Sequence, residues 1–153
     1  MTTPAEAENN PNIGSLLSAS YHLMMGRILN DLAAAGHKDL TKTALHVLVR
    51  MGTEPTTADV LWQRLQIPRQ IIANLFGLLA DNDYVTALDD SIEANSGRVV
   101  IAERGLEALK IVEAAQTNVE AEWATNIGEE AYSKLREGLV ALFPAALRQS
   151  TRS

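Results

Sequence analysis

The polar side chains that follow Pro68 are of the types that read DNA bases. In the stretch "PRQIIAN", an arginine, a glutamine and an asparagine alternate with an apolar stripe at helical spacing. On a helix that enters the major groove, arginine pairs with guanine, and asparagine or glutamine pairs with adenine. We therefore predict that this helix carries base-reading residues on its outward side, namely Arg69, Gln70, Ala73 and Asn74. An ordinary solvated helix face would account for the same residue types equally well.

Other side chains that could do chemistry do not form a catalytic pattern. The histidines His22, His37 and His46 lack a metal-binding spacing, and the chain contains neither a glycine-rich phosphate loop nor a serine elbow. Asp89 and Asp90 are adjacent on a turn, where their side chains point apart. The sequence therefore predicts no enzyme, no metal and no cofactor.

Composition indicates a cytoplasmic protein that is not an indiscriminate nucleic-acid binder. The formal net charge is −6 over 153 residues, and cysteine is absent, which excludes disulfides and thiolate zinc sites. No apolar run approaches the roughly 18 residues that a membrane span needs. Residues 1–11 are polar and acidic, without helical periodicity, and are predicted to be a disordered lead rather than a signal peptide.

The elements that must position the polar side chains are six helices and one hairpin. Apolar residues recur at three- and four-residue steps in each helix, and threonine, proline and glycine mark the ends. Thr41 caps the second helix, Thr56 or Thr57 the third, and Pro68 begins the fourth. The predicted elements are helices at 13–36, 42–52, 57–65, 68–81, 103–126 and 129–143, and strands at 84–88 and 98–102.

Two apolar stripes are predicted to face the core. The second helix should bury Leu45, Leu48 and Val49, and the fourth should bury a longer set. That set is Ile71, Ile72, Leu75, Leu78 and Leu79.

In this order the elements resemble a winged helix-turn-helix, and over residues 13–145 the chain resembles the MarR family of transcriptional regulators. The matching pieces are the long first helix, "LTKTALHVLVRMG", "TTADVLWQRLQIPRQIIANLFGLLADNDYV" and "VVIAERGLEAL". The resemblance implies a mainly α fold with a small β-hairpin wing (α+β). It further implies a winged-helix DNA-binding lobe at 40–103 and a helical dimerisation region at 12–36 and 104–148.

The chain departs from the family pattern at two places. An Asp-x-Arg motif usual in the family's wing is replaced by Glu93-Ala94-Asn95, which leaves Arg98 as the nearest arginine. Pro68 replaces a serine that opens the family's recognition helix. Arg98 is the wing residue expected to contribute to DNA contact, and Thr57, at the start of the third helix, is expected to contact phosphate.

The charge balance of the predicted DNA-binding lobe is compatible with two functions. Between Thr57 and Arg104 there are four arginines and no lysine against seven acidic residues, whereas a groove-binding module usually has an excess of basic residues. One candidate is a homodimeric regulator that binds a palindromic operator in double-stranded DNA. The other is a dimeric winged-helix module that binds a protein instead of DNA.

The resemblance also implies a small aromatic or phenolic effector bound between the dimerisation region and the DNA-binding lobe. Side chains suited to such a ligand lie on the first three helices. They are Tyr21, His22, Met25, His46 and Trp62. Ordinary packing in the core or at its boundary is the more common role for each of these residue types.

Overall fold

The computed structural model describes residues 10–89 and 97–143, and within them it contains the predicted helices and hairpin. Each strand is one residue shorter at both ends than predicted. No helix among these residues is both long enough and apolar enough to cross a bilayer. In chain order the elements are α1 (Ile13–Ala34), α2 (Lys42–Met51), α3 (Ala58–Leu65), α4 (Arg69–Asp81), β1 (Val85–Ala87), β2 (Val99–Ile101), α5 (Glu103–Ile127) and α6 (Glu129–Leu142).

Local side-chain chemistry explains where the helices of the lobe begin. The hydroxyl of Thr41 accepts a hydrogen bond from the amide of Ala44 at 3.2 Å, and that of Thr57 accepts one from Val60 at 3.3 Å. Such caps satisfy amides that have no partner inside the helix. Thr57, rather than Thr56, is therefore the cap of α3, and Pro68 immediately precedes α4.

The turn between α3 and α4 is made by a residue in the left-handed conformation. Gln66 has φ 57° and ψ 24°, and its amide donates to the carbonyl of Trp62 at 3.0 Å. The following Ile67-Pro68 pair cannot continue a helix, because proline disfavours helical backbone in the residue before it. This turn sets the direction in which α4 leaves α3.

The chain divides into two units, Met1–Ala115 and Gln116–Ser153. The first unit has one apolar core, to which every element from α1 to the first turns of α5 contributes. Its largest fully buried side chains are Ile28, Leu32, Leu45, Val47, Leu48, Leu61, Ile72, Phe76, Leu79, Tyr84 and Val99.

Three predicted core residues are exposed instead. Val49, Ile71 and Leu78 keep 42%, 46% and 41% of their surface accessible, so their predicted burial is wrong. The reason is a rotation of each apolar stripe: α2 turns Val47 inward, and α4 buries the set Ile72, Ala73, Phe76 and Leu79. The apolar periodicity predicted the helices correctly. It predicted a buried face on each that is rotated around the helix axis from the face that the structure buries.

The wing is an antiparallel pair in which Val85 faces Ile101, Thr86 faces Val100 and Ala87 faces Val99. Thr56 extends this sheet through a bridge to Val99, with two backbone hydrogen bonds of 2.9 Å. The base of the wing is thereby tied to the residue that precedes the cap of α3. The wing tip, which includes the predicted Glu93-Ala94-Asn95 site, lies outside the described residues, as does most of the predicted lead.

A polar cluster joins the start of α5 to two loops. The guanidinium of Arg104 donates to the Asp39 carboxylate at 3.1 Å and to the carbonyls of Asn82 and Gly36 at 2.5 and 3.3 Å, and it stacks 4.4 Å from the Tyr84 ring centroid. We call Arg104, Asp39 and Tyr84, together with His37, the Arg104 cluster. It connects the α1–α2 loop, the turn after α4 and α5.

The tyrosine hydroxyl in the Arg104 cluster has a partner on either side. It donates to Asp39 at 2.8 Å and accepts from Nδ1 of the buried His37 at 3.0 Å. Burial would raise the pKa of Asp39, but hydrogen bonds from Tyr84 and Arg104 outweigh it and lower that pKa below its ordinary 3.8. Burial, followed by the bond to the Asp39 carboxylate, raises the pKa of Tyr84.

The second unit contains the end of α5 and all of α6, which Gly128 separates with φ 92°. No described residue of α6 is buried. Its large apolar side chains are accordingly accessible to water. They include Leu135, Val140 and Leu142.

Candidate nucleic-acid interface

The first two turns of α4 present two amide side chains to solvent. Gln70 and Asn74 are both exposed and lie one turn apart, and Nε2 of Gln70 donates to Oδ1 of Asn74 at 3.0 Å. This bond fixes the two amides relative to each other on the side of α4 opposite the core. Their exposure is the arrangement that a base-reading helix requires.

Arg69 leaves that outward side and lies against α3. Its Nε is 3.0 Å from Oδ1 of Asp59, and its guanidinium carbon is 4.6 Å from the centroid of the Trp62 ring. The ion pair lacks the alignment of a hydrogen bond, since Oδ1 of Asp59 is buried without a hydrogen-bond partner. Two side chains of α3 therefore hold a residue that the sequence placed among free base readers.

The predicted outward position of Ala73 is wrong. Only 3% of its surface is accessible, because it shares the buried face of α4 with Ile72 and Phe76. A methyl group enclosed in the core cannot reach a base edge. Ala73 therefore has a packing role.

Thr57 lies partly buried at the beginning of α3, where its hydroxyl caps the helix. That geometry leaves the hydroxyl oxygen engaged with the amide of Val60. A phosphate contact at this end would therefore involve backbone N–H groups of the first turn rather than a free hydroxyl. The predicted contact of Thr57 with DNA remains a prediction.

Arg98 lies just before β2 and is paired with Asp89, just after β1, where the strands lead to the wing tip. The guanidinium donates to both carboxylate oxygens, at 3.1 Å from Nε and 3.0 Å from Nη2, and the Arg98 amide donates at 2.7 Å. These hydrogen bonds lower the pKa of Asp89 and raise that of Arg98. The pair closes the wing across its two strands, which makes an ordering role available to Arg98 in addition to the predicted DNA contact.

The candidate effector residues fall into two places. Tyr21 stacks edge-on against His22 at 5.8 Å between ring centroids, and Lys42 lies 5.0 Å from the Tyr21 centroid. Burial, then the charges of Arg50 and Lys42, lowers the pKa of His46, which links that residue to the same region. Met25 is partly buried in α1, against the core. Trp62 instead lies with Arg69, at the α3–α4 surface.

Two features of α4 were not predicted from the sequence. Asp59, ten residues before Arg69, restrains it, and Ile71, which lies between Gln70 and Asn74 in the chain, is exposed. The pairing of Arg69 with Asp59 depends on the angle between α3 and α4, which the pattern of a single helix does not encode.

Across the described residues, no group of three or more histidine or acidic side chains is arranged to hold a metal ion.

Solved structures with the same architecture are transcriptional regulators. Oxidised MarR from E. coli aligns with a TM-score of 0.70 at 15% identity, over 90% of this chain and 99% of that one. A MarR regulator from Methanosarcina mazei Go1 aligns at 0.69 and 18% identity, over 89% and 96%. A mutant MepR from S. aureus, bound to an oligodeoxyribonucleotide, aligns at 0.58 and 15% identity, over 87% and 96%.

No protein-family model and no curated protein matches the chain. At these identities the structural alignments show a shared fold. The order of helices, turn and wing in this chain is that of the aligned regulators over most of their length.

Proposed function

We propose that this chain, which has the winged-helix fold of the MarR-family regulators, is a DNA-binding transcriptional regulator. The observation that carries the proposal is the outward amide pair of Gln70 and Asn74, at the start of a helix that projects from a helix-turn-helix. A helix presented in this way fits the major groove, where amides recognise adenine. The MepR structure bound to an oligodeoxyribonucleotide supports such a use of the fold.

The regulator acts as a homodimer on a palindromic operator. Support comes from apolar side chains that the single chain leaves in water, on α1 and on α6. On α1 they include Ile13, Leu16, Leu17 and Leu23, and on α6 Leu135, Val140 and Leu142. Exposed apolar surface of this kind marks an interface, and an isologous dimer covers the same surface on both copies. Two copies of α4 would then read half-sites about one helical turn apart.

A small aromatic or phenolic effector releases the operator. The support is the Tyr21–His22 ring pair, with Lys42 against Tyr21 and its charge felt by His46, which offers ring faces and a cation to an aromatic anion. Trp62 has a different place, beside Arg69, so an effector there would act on the reading helix directly.

Selection of bound fragments from random duplex DNA, repeated at low and at physiological salt, tests the proposal. We expect a defined sequence whose binding tightens as salt falls, because phosphate contacts release counterions. Asn74→Ala should lose the selected sequence, whereas Asn30→Ala, an exposed asparagine on α1, should keep it. Failure to bind any duplex at either salt would refute the DNA-binding function.

The second candidate, a protein-interaction module, rests on the pairing of the lobe's arginines. Arg69 is paired with Asp59 and Arg98 with Asp89, so each cation is accompanied by a neutralising carboxylate. Phosphate gains little from cations that already have anionic partners. A dimer that binds no duplex but binds a basic protein surface would favour this alternative.

A further inference from the structure

We propose that α4 reads A·T base pairs, with Gln70 and Asn74 binding adenine and Ile71 packing against the methyl group of thymine, while Asp59 and Trp62 keep Arg69 from reading guanine. This inference rests on the proposed DNA-binding function and specifies its target chemistry. It assigns a role to two features outside the expected reading set: an exposed aliphatic side chain and a restraining ion pair.

The geometry of the helix separates the two kinds of side chain. Successive residues turn by about 100° around an α-helix, so residues four and seven apart share a side. Arg69 therefore shares the side of Ala73 and Phe76, which are buried. Gln70, Ile71 and Asn74 are exposed on the other side. Arg69 escapes the core only because it is the first residue of α4, and it turns toward α3.

The amide pair leaves complementary groups for adenine. Nε2 of Gln70 donates to Oδ1 of Asn74, so the Gln70 carbonyl and the Asn74 N–H groups remain for a partner. Adenine offers a donor at N6 and an acceptor at N7 in the major groove, which match a carbonyl and an N–H. The internal hydrogen bond orients these groups before DNA arrives, which reduces the entropy lost on binding.

Ile71 begins an apolar stripe on the exposed side of α4. Ile71 is 46% and Leu78 is 41% accessible, and Leu75 between them is partly buried. The core already has Ile72, Phe76 and Leu79, so these exposed groups are left for another apolar partner. In the major groove the only methyl group on a base edge is that of thymine. Asn74 lies within this stripe, so adenine and thymine contacts would fall on neighbouring positions.

The restraint on Arg69 acts against guanine. A guanine contact requires the guanidinium to meet O6 and N7. Here it lies 3.0 Å from the Asp59 carboxylate and on the ring of Trp62. A guanine would have to replace both partners and would leave the buried Oδ1 atom of Asp59 without its cation.

Removal of the thymine methyl group tests the central claim. A duplex selected with the 153-residue chain is remade with deoxyuridine for thymine, which deletes the methyl group and keeps the base pair. Wild-type binding should weaken by about fourfold for each contacted methyl, the worth of one buried carbon. Ile71→Ala should bind less tightly and become indifferent to the replacement. The control Val49→Ala, an exposed aliphatic residue on α2, should retain full sensitivity.

Equal affinity of the wild-type protein for the thymine and deoxyuridine duplexes would overturn the thymine contact. Retained methyl sensitivity in Ile71→Ala would overturn its assignment to Ile71. Absence of binding to any duplex would refute the proposed function as well. Tight binding to a selected site without methyl sensitivity would refute only this inference, so the two failures are distinguishable.

Asp59→Asn tests the restraint. Freed from its partner, Arg69 should add guanine to the selected sequence, and Asp59→Asn/Arg69→Ala should lose that guanine again. Asp81→Asn removes the same charge from the other end of α4 and should leave the selected bases unchanged. If Asp59→Asn and Asp81→Asn alter selection in the same way, the effect is one of net charge, and the restraint is refuted.

Discussion

At the scale of single residues, Gly105 at the start of α5 has no room for a larger side chain. A Cβ built there overlaps the carbonyl oxygen of Tyr84 and lies 2.7 Å from Cγ2 of Ile101. A backbone carbonyl cannot move aside as a flexible side chain can. Gly105, which lies in the stretch "VVIAERGLEAL", is therefore required by the close approach of α5 to the wing.

Gly105→Ala should destabilise the fold by about 1–3 kcal/mol, the usual range for overpacking. The measurement is the free energy of unfolding in denaturant at fixed protein concentration. Gly138→Ala is the matched control, because a Cβ there meets nothing within 4 Å and alanine favours helix more than glycine does. An equal effect of the two substitutions would contradict the steric explanation.

Asp39 should make stability depend on acid pH. Its pKa is lower in the folded chain than the ordinary 3.8, so its contribution is present above pH 3.8 and is lost as pH falls through the folded value. Urea unfolding of the wild type and Asp39→Asn should differ most near pH 6, and the difference should shrink as the pH falls below 3.8. A difference that stays constant over this interval would show that the Arg104 cluster does not depend on this carboxylate's charge.

At the scale of elements, helix ends were predictable and helix faces were not. Thr41, Pro68 and Gly52 act within a few residues of themselves, so their signals survive in the sequence. The exposure of Ile71 and the burial of Ala73 depend on which neighbour packs against α4. Tertiary packing therefore decides which side of α4 is buried. An apolar stripe that covers most of a helix does not show which of its residues will face the core.

The difference between local signals and contacts between helices also explains which residues of the candidate DNA interface could be predicted. The residue types that could read DNA were recognisable from Gln70 and Asn74, which remain exposed. The restraint of Arg69 was not, because Asp59 belongs to another helix and becomes its partner only after the turn at Gln66. An ion pair between two helices can be identified only once their relative positions are known.

Thr57→Ala should cost about 1 kcal/mol of stability, through the loss of the α3 cap. Thr57→Ser should retain both stability and DNA affinity, since serine caps as well as threonine. Denaturant unfolding and duplex binding measured on both variants separate the two roles. If Thr57→Ala binds DNA weakly at temperatures where it is fully folded, the first turn of α3 contributes to the interface beyond its capping role.

At the scale of the whole molecule, the exposed apolar faces predict association. Leu16→Glu and Leu135→Glu place a charge on α1 and on α6, in positions now 49% and 48% accessible. We expect sedimentation to give twice the chain mass for the wild type and the single chain mass for the double variant. A charged side chain buried without a partner opposes the interface.

Leu88→Glu is the control for this experiment, because Leu88 is 45% accessible but lies in the wing, directly after β1. It should leave the wild-type mass unchanged. A wild type that sediments as a single chain at micromolar concentration would contradict the dimer. Loss of association in Leu88→Glu alone would move the interface to the wing.

The Arg104 cluster has a mechanical consequence. One guanidinium holds the carbonyls of Gly36 and Asn82 and the carboxylate of Asp39, while Gly105 beside it touches the backbone of Tyr84. Hydrogen bonds and close packing therefore join the first turn of α5 to the loop before α2 and to the turn after α4. We therefore expect a rotation of the first turn of α5 to be passed to the turn after α4 and to change the orientation of α4, which ends there.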